Sequence, residues 1–278
     1  MRATPAILSI QSEVASGHVG NGAARFVLQR LGFDVFAVPT VLLAHHPGHG
    51  GFHGTIIAPK LMETLIDGLD RHGVLGDCAG VLTGYLGDPY HAEIAARAVA
   101  RVKALNPAAV YLCDPVFGDE GGAYARPGVA AAMEKSLLPL ADIATPNRFE
   151  LEALTGMPVR ASDEAKGAAR ALGPELVVAT SIPLATDLAT LAVTRAEALM
   201  THAPRLAGVP NGTGDVLAAL FLAHRLKGET IAEALQKSTA SLHAIIADAV
   251  ENGRRELPLI ACQESLLGTA PPLPRVIL

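Results

Sequence analysis

From Val216 to Ala223 eight consecutive residues are apolar, and the five before them read Asn211-Gly212-Thr213-Gly214-Asp215. The run falls well short of the ~18 residues of a membrane span. It reads as a helix that is apolar on most sides, which is stable only where other elements cover it. The chain must therefore fold in layers. The turn before the run forms the helix start, where free backbone N–H groups and a partial positive charge suit a phosphate. Gly212 and Gly214 let an anion approach the backbone closely. Asp215 stands where those N–H groups point. A carboxylate there serves either as a helix cap or as a general base beside a bound phosphoryl group.

The rest of the chain supplies the layers. Residues 6–10 read as a strand, 11–20 as a loop, 21–31 as a helix closed by Gly32, and 33–41 as a second strand. Strand, loop, helix, strand is the unit of an α/β fold. Half of the 278 residues are hydrophobic, only 4% are aromatic and none is Trp. Such an aliphatic core suits strands covered by helices on both faces. Further strands are expected within 78–87, where a strand runs into a glycine-punctuated turn, and at 109–113, 141–145 and 176–180, with helices between them, and two antiparallel strands at 188–194 and 197–202. No repeat or linker divides the chain, so residues 1–278 are read as one domain, with an extended, mobile tail at 268–278. The net charge of −5 carries no basic stripe that would suit nucleic acid. Cys78, Cys113 and Cys262 are scattered, which fits reduced thiols in the cytoplasm and neither a disulfide framework nor a zinc site. The start, Met1-Arg2 and then a short apolar strand, does not resemble a signal peptide.

In an open α/β sheet, ligands bind at the carboxyl ends of the strands. The loop after the first strand makes Ser12, Gly17, His18, Val19 and Asn21 pocket candidates, although Gly20 and Asn21 also suit a plain helix start. Residues 45–54 hold four histidines and four glycines. Without cysteines, carboxylates or a regular helical pair, this stretch reads as a flap over a pocket (about 42–55) rather than a metal site. Tyr85 ends another strand, where it either stacks on a planar ligand or covers the core edge. Asp114 and Asp119 follow the next strand and suit Mg²⁺ or simple turn chemistry. Asn147 and Glu150 share one face of a helix start, as a capping box or as water-mediated Mg²⁺ ligands. There is neither a Walker-A P-loop nor a protein-kinase motif set.

Together these strings resemble a known family. Ile10-Gln11-Ser12, Gly17-His18-Val19-Gly20-Asn21, Thr83-Gly84-Tyr85-Leu86-Gly87, Cys113-Asp114-Pro115-Val116-Phe117-Gly118-Asp119, Thr145-Pro146-Asn147-x-x-Glu150 and Gly212-Thr213-Gly214-Asp215 match, in order, the pyridoxal kinases of the ribokinase-like superfamily. The resemblance implies a three-layer sandwich with a central, mostly parallel sheet, a flap and a homodimer. It implies ATP-dependent phosphorylation of the 5′-hydroxymethyl of pyridoxal, and of pyridoxine and pyridoxamine, with Mg²⁺ and a monovalent cation such as K⁺. By motif position Asp215 would be the base, with Gly212, Thr213 and Gly214 as the anion hole. Ser12, Val19, His46, Pro47, Gly48 and Tyr85 would line the pyridine pocket. Asp114, Thr145, Asn147, Glu150, Thr180 and Arg205 would face ATP, with Asp114 and Glu150 toward its metal.

The chain departs from the family on the pyridine side. Where the flap commonly runs His-Thr-x-Tyr-Gly, this chain has His46-Pro47-Gly48-His49-Gly50. Glu13 stands where His is frequent, Ser16 where Tyr or Arg is usual, and Thr180 where some relatives carry Lys. Two other readings share the scaffold: a hydroxymethylpyrimidine kinase, and a non-catalytic pyridoxal phosphate-binding protein. Ile10-Gln11-Ser12 and the flap's position favour pyridoxal over the first. An intact Asp215 argues against the second.

Overall fold

The computed structural model describes residues 4–278; residues 1–3, and with them the reading of the chain start, lie outside the described residues. The first half runs β1 (Ala6–Val14), α1 (Asn21–Arg30), β2 (Asp34–Leu43), β3 (Gly54–Ile56), α2 (Pro59–His72), β4 (Cys78–Thr83), α3 (Tyr90–Leu105) and β5 (Val110–Cys113). A small hairpin follows, β6 (Gly118–Asp119) with β7 (Gly122–Ala123), then α4 (Val129–Ser136), β8 (Ile143–Ala144), α5 (Arg148–Thr155) and α6 (Ser162–Leu172). The second half closes with β9 (Leu176–Leu184), β10 (Asp187–Val193), β11 (Ala198–Pro204), α7 (Thr213–Leu226), α8 (Ile231–Glu251) and β12 (Arg275–Ile277).

Ten strands form one sheet in the order β12-β11-β10-β9-β8-β5-β4-β1-β2-β3. The six from β9 to β2 pair in parallel, and both flanks are antiparallel. The chain leaves β1 for β2 on one side and later returns to β4 on the other. That reversal opens a crevice at the carboxyl ends of β1 and β4, where open α/β sheets bind ligands.

The strand alternation sorts the core into two faces. Ile7 of β1 packs with α1, α7 and α8, whereas Ala6, Leu8 and Ile10 pack with α2, α3 and α4. Every residue from Val216 to His224 is buried, as the apolar run required. Helix α7 lies between α1, α8 and the sheet, so its amino-terminus is held rigidly at the sheet edge.

Two sequence expectations change. The first strand continues to Val14, through an irregularity between Gln11 and Glu13, because its far end still finds partners on β2. The tail, read as extended and mobile, is extended but not unpaired. Arg275–Ile277 pair with Thr201, Met200 and Leu199 as an edge strand, and Gln236 donates to the Leu273 carbonyl at 3.4 Å. Pairing on β11 satisfies backbone groups that an isolated tail would leave to water.

Candidate active site

Helix α7 is capped by the backbone of Gly212, at φ +95°, with no side-chain cap hydrogen bond. Asp215 is therefore not the N-cap. It stands in the first helical turn, where its carboxylate makes no cap bond to its own helix. Gly212 is required here: a Cβ would lie 2.2 Å from the His18 carbonyl oxygen and 3.3 Å from Val19. The turn thus packs on the loop after β1. Gly20 is held equally tightly, at φ +53°, with Ser12 Oγ 2.2 Å from where its Cβ would be. Burial pushes the Asp215 carboxyl up to about 6, and the Gly20 amide pulls it the other way.

Asp114 follows β5 and is buried. Thr145 donates to its Oδ1 at 2.7 Å, while Oδ2 is buried with no protein partner. That free oxygen lies 3.9 Å from where a Cβ on Gly214 would stand. Burial, and then the charge of Asp215, push Asp114 up to about 7, against the Thr145 hydroxyl. A buried carboxylate with one orphaned oxygen beside an anion-binding turn fits a divalent cation carried in by a phosphate ligand.

Asn147 and Glu150 form the full capping box of α5. Asn147 Oδ1 accepts from the Glu150 amide at 3.0 Å, and Glu150 Oε2 accepts from the Asn147 amide at 2.9 Å. Glu150 Oε1 also accepts from the Phe117 amide at 3.1 Å. With both oxygens engaged, Glu150 would meet a metal through water. Burial, and then Asp114, push it up to about 8. Among the described residues no three His, Cys, Asp or Glu side chains are placed to hold an ion by themselves.

A cleft of about 370 Å³ opens beside this cluster, and Asn147, Thr180, Arg205, Thr213, Gly214 and Leu273 are among its walls. Thr180 is held there by its backbone N–H, which donates to the Pro146 carbonyl at 3.0 Å, and by its β-bridge to Asn147. Arg205 crosses the mouth to Glu120 at 3.1 Å. Asp114, Thr145 and Glu150 do not line the cleft wall; they lie buried behind it. Asp119 lines it, but its Oδ1 is taken by the Gly121 amide at 2.7 Å, which is turn chemistry.

On the other side of the α7 turn lies the second set. Val19 packs with Val14, Val41 and Leu43, and Tyr85 covers the same cluster. The Thr40 hydroxyl donates to the Tyr85 carbonyl at 2.7 Å and fixes that strand end. The flap residues Pro47–His49 form a single turn capped by His46, whose Nδ1 accepts from the Gly48 amide at 3.1 Å. Burial, and then His49, lower the His46 pKa, in keeping with a neutral acceptor ring. Gly48 sits close enough to Asn211 that a Cβ would be 3.4 Å from its amide nitrogen. Pro47 and Gly48 are exposed. Asn21, a pocket candidate by position, is fully buried. It accepts from Ser9 at 2.7 Å and donates to the Gln11 carbonyl at 3.1 Å, so it braces the loop from below.

Tyr124 escaped the sequence reading. It follows the β6–β7 hairpin and its ring centroid is 6.4 Å from that of Tyr85; the residue as a whole is 53% exposed, but partial desolvation of its phenol, then Glu150 and Asp215, raise that group's pKa. A lone tyrosine after a glycine pair carries no motif.

Residues 73–260 match the family described as phosphomethylpyrimidine kinase. The pyridoxal kinase PdxY of Rubrobacter xylanophilus is 45% identical, over 96% of this chain and 94% of that protein. That of Deinococcus radiodurans is 42% identical, over 92% and 91%. Among solved structures, the pyridoxal kinase of Leishmania donovani in complex with ADP and ginkgotoxin superposes with a TM-score of 0.94, at 33% identity, over 99% of both chains. The Entamoeba histolytica pyridoxal kinase reaches 0.93 at 29% identity, over 99% of this chain and 100% of that one.

Proposed function

The chain belongs to the pyridoxal kinases of the ribokinase-like superfamily, and on that footing we propose that it transfers the γ-phosphoryl group of ATP to the 5′-hydroxymethyl of pyridoxal, and of pyridoxine and pyridoxamine. The observation that carries this reading is the α7 turn, which stands between the two halves of the site. Gly214 faces the cleft and Asp114 on one side, and Gly212 rests on the His18–Val19 loop on the other.

In the reaction the substrate hydroxyl oxygen bonds to the γ-phosphorus as the bond to the leaving ADP oxygen breaks. Asp215 takes the hydroxyl proton, and a base with its pKa near 6 is ionised at neutral pH without being too weak to accept. The amides of Gly212, Thr213 and Gly214 and the dipole of α7 stabilise charge on the transferred group. Asn147, Thr180 and Arg205 would bind nucleotide in the cleft, and Ser12, Val19, His46, Pro47, Gly48 and Tyr85 would hold the pyridine ring. Asp114, with Thr145 orienting it and Glu150 acting through water, would hold Mg²⁺, which neutralises phosphate charge when bound. A monovalent cation such as K⁺, a homodimer, a single kinase domain and a cytoplasmic setting complete the reading. The exposed Leu42, Phe52, Leu61 and Leu65 around the flap and α2 give a dimer an apolar surface. No helix among the described residues is long and apolar enough to cross a membrane.

The test is phosphoryl transfer from MgATP to pyridoxal, pyridoxine and hydroxymethylpyrimidine in parallel, with K⁺ present. The family match of residues 73–260 makes the pyrimidine the proper competitor. Higher kcat/KM for pyridoxal supports the reading. Preference for the pyrimidine, or ATP binding without turnover of any vitamer, overturns it.

A further inference from the structure

None of the motifs touches the segment after α8, yet that segment reaches the pyridine side of the site. Leu257 and Leu259 are fully buried in the core that also holds α1, so the backbone beside them is pinned. Glu256 stands immediately before Leu257. Its Oε2 accepts from the His18 amide at 3.2 Å. Its Oε1 lies 2.8 Å from His49 Nε2, an ion-pair contact without the alignment of a hydrogen bond. The same carboxylate walls Gly17, where a Cβ would meet both oxygens at 2.8 Å.

These two partners belong to the two segments that flank the pyridine side of the site, the loop after β1 and the flap. His18 leads into Val19 and supports the Gly212 turn. His49 shares the one-turn flap helix with Pro47 and follows its capping residue, His46. Within the flap, the Gly50 and Gly51 amides donate to the Pro47 carbonyl at 3.2 and 2.8 Å, and Gly54 pairs with Leu43 of β2; the contact from Glu256 comes from outside the flap. At position 49 the family's usual phenol is replaced by an imidazole, and that imidazole finds a carboxylate from a rigid segment more than 200 residues away in the chain.

We propose that Glu256 is a positioning residue for the vitamin substrate, a two-point clamp that fixes the flap against the Gly17–His18 loop and so sets the width of the pyridine pocket. It touches no reacting atom. The proposal rests on the pyridoxal kinase reading and deepens it by naming a residue that governs that substrate's binding but not the nucleotide's.

The experiment compares wild type, Glu256→Ala, Glu256→Gln and the double variant Glu256→Ala/His49→Gln. Steady-state kinetics are run with pyridoxal varied at saturating MgATP, and the reverse. Amide hydrogen exchange over residues 45–53 is measured on the unliganded proteins. A partly exposed charged contact adds little to global stability, so its loss should appear locally. Glu256→Ala should raise KM for pyridoxal roughly three- to tenfold, the range of a partly exposed charged hydrogen bond. It should leave KM for MgATP and kcat within about twofold and speed exchange in the flap, with little change in Tm. Glu256→Gln, which keeps an acceptor for the His18 amide, should fall between. The double variant should be no worse than Glu256→Ala, because Glu256→Ala already breaks the one contact that His49→Gln removes. Unchanged KM for pyridoxal, unchanged flap exchange, or equal losses for both substrates would overturn the clamp. If wild type fails to phosphorylate pyridoxal, the kinase reading falls, and the exchange data still decide whether Glu256 holds the flap.

Discussion

The Thr145 hydroxyl donates to one oxygen of Asp114 at 2.7 Å, and the other oxygen of that carboxylate is buried without a protein partner. One side chain thus aims a second. Thr145→Val keeps the volume but removes the donor, leaving both oxygens of Asp114 unpaired. The Mg²⁺ concentration for half-maximal activity should rise about tenfold, the worth of a hydrogen bond to a charged group, while KM for pyridoxal stays put. A magnesium titration at fixed ATP checks this. An unchanged midpoint would separate Asp114 from the metal.

Asp215 is not used as a helix cap, so its replacement should cost chemistry more than folding. Asp215→Asn should lower kcat by roughly 10²–10⁴-fold, the usual contribution of a general base, with nucleotide affinity nearly unchanged and Tm no lower than wild type. Single-turnover assays alongside ADP binding decide it. A loss under about threefold would remove Asp215 from the role.

Three carboxyl groups in and around the site titrate high: Asp215 at about 6, Asp114 at about 7 and Glu150 at about 8, against ordinary values of 3.8, 3.8 and 4.5. Between those limits the folded protein binds more protons than the unfolded chain. Their contribution to stability is therefore fully present below about pH 4 and is lost as pH rises to about 8. In metal-free protein Tm should fall from pH 5 to pH 8, less steeply in Asp114→Asn, and added Mg²⁺ should recover more at pH 8 than at pH 5. Catalysis runs the other way, since the base must be ionised: kcat/KM should climb through about pH 6. Identical Tm slopes in wild type and Asp114→Asn would contradict the burial of that group.

Glycine 212 has both a left-handed backbone and no room for a methyl group, while Gly228, at φ +82°, has open space around it. Gly228→Ala should cost only the conformational strain, roughly 1 kcal/mol. Gly212→Ala should cost at least about 2 kcal/mol and depress turnover as well, because relief of the clash with the His18 carbonyl must displace the α7 turn. Denaturant unfolding of the two variants side by side provides the comparison.

Local pattern carried the outline. The apolar run of α7 could only be a covered helix, residues 6–10 read as a strand, and the Asn147–Glu150 spacing encoded a capping box that the structure forms in full. These depend on neighbours within a few residues, so they are visible in one dimension. The ordered strings also sufficed to identify the family and its reaction. What they left open was the use of each side chain. Asp215 could have been a cap, and Asn21 could have faced the pocket. Which atoms stay unpaired depends on elements far apart in the chain. The last strand settles on β11 because an edge was waiting there. Tyr124 joins the acids because a hairpin folds back. Glu256 reaches His49 across more than 200 residues because buried Leu257 holds it in place. Contacts of that kind leave no periodicity or spacing behind, and packing alone creates them.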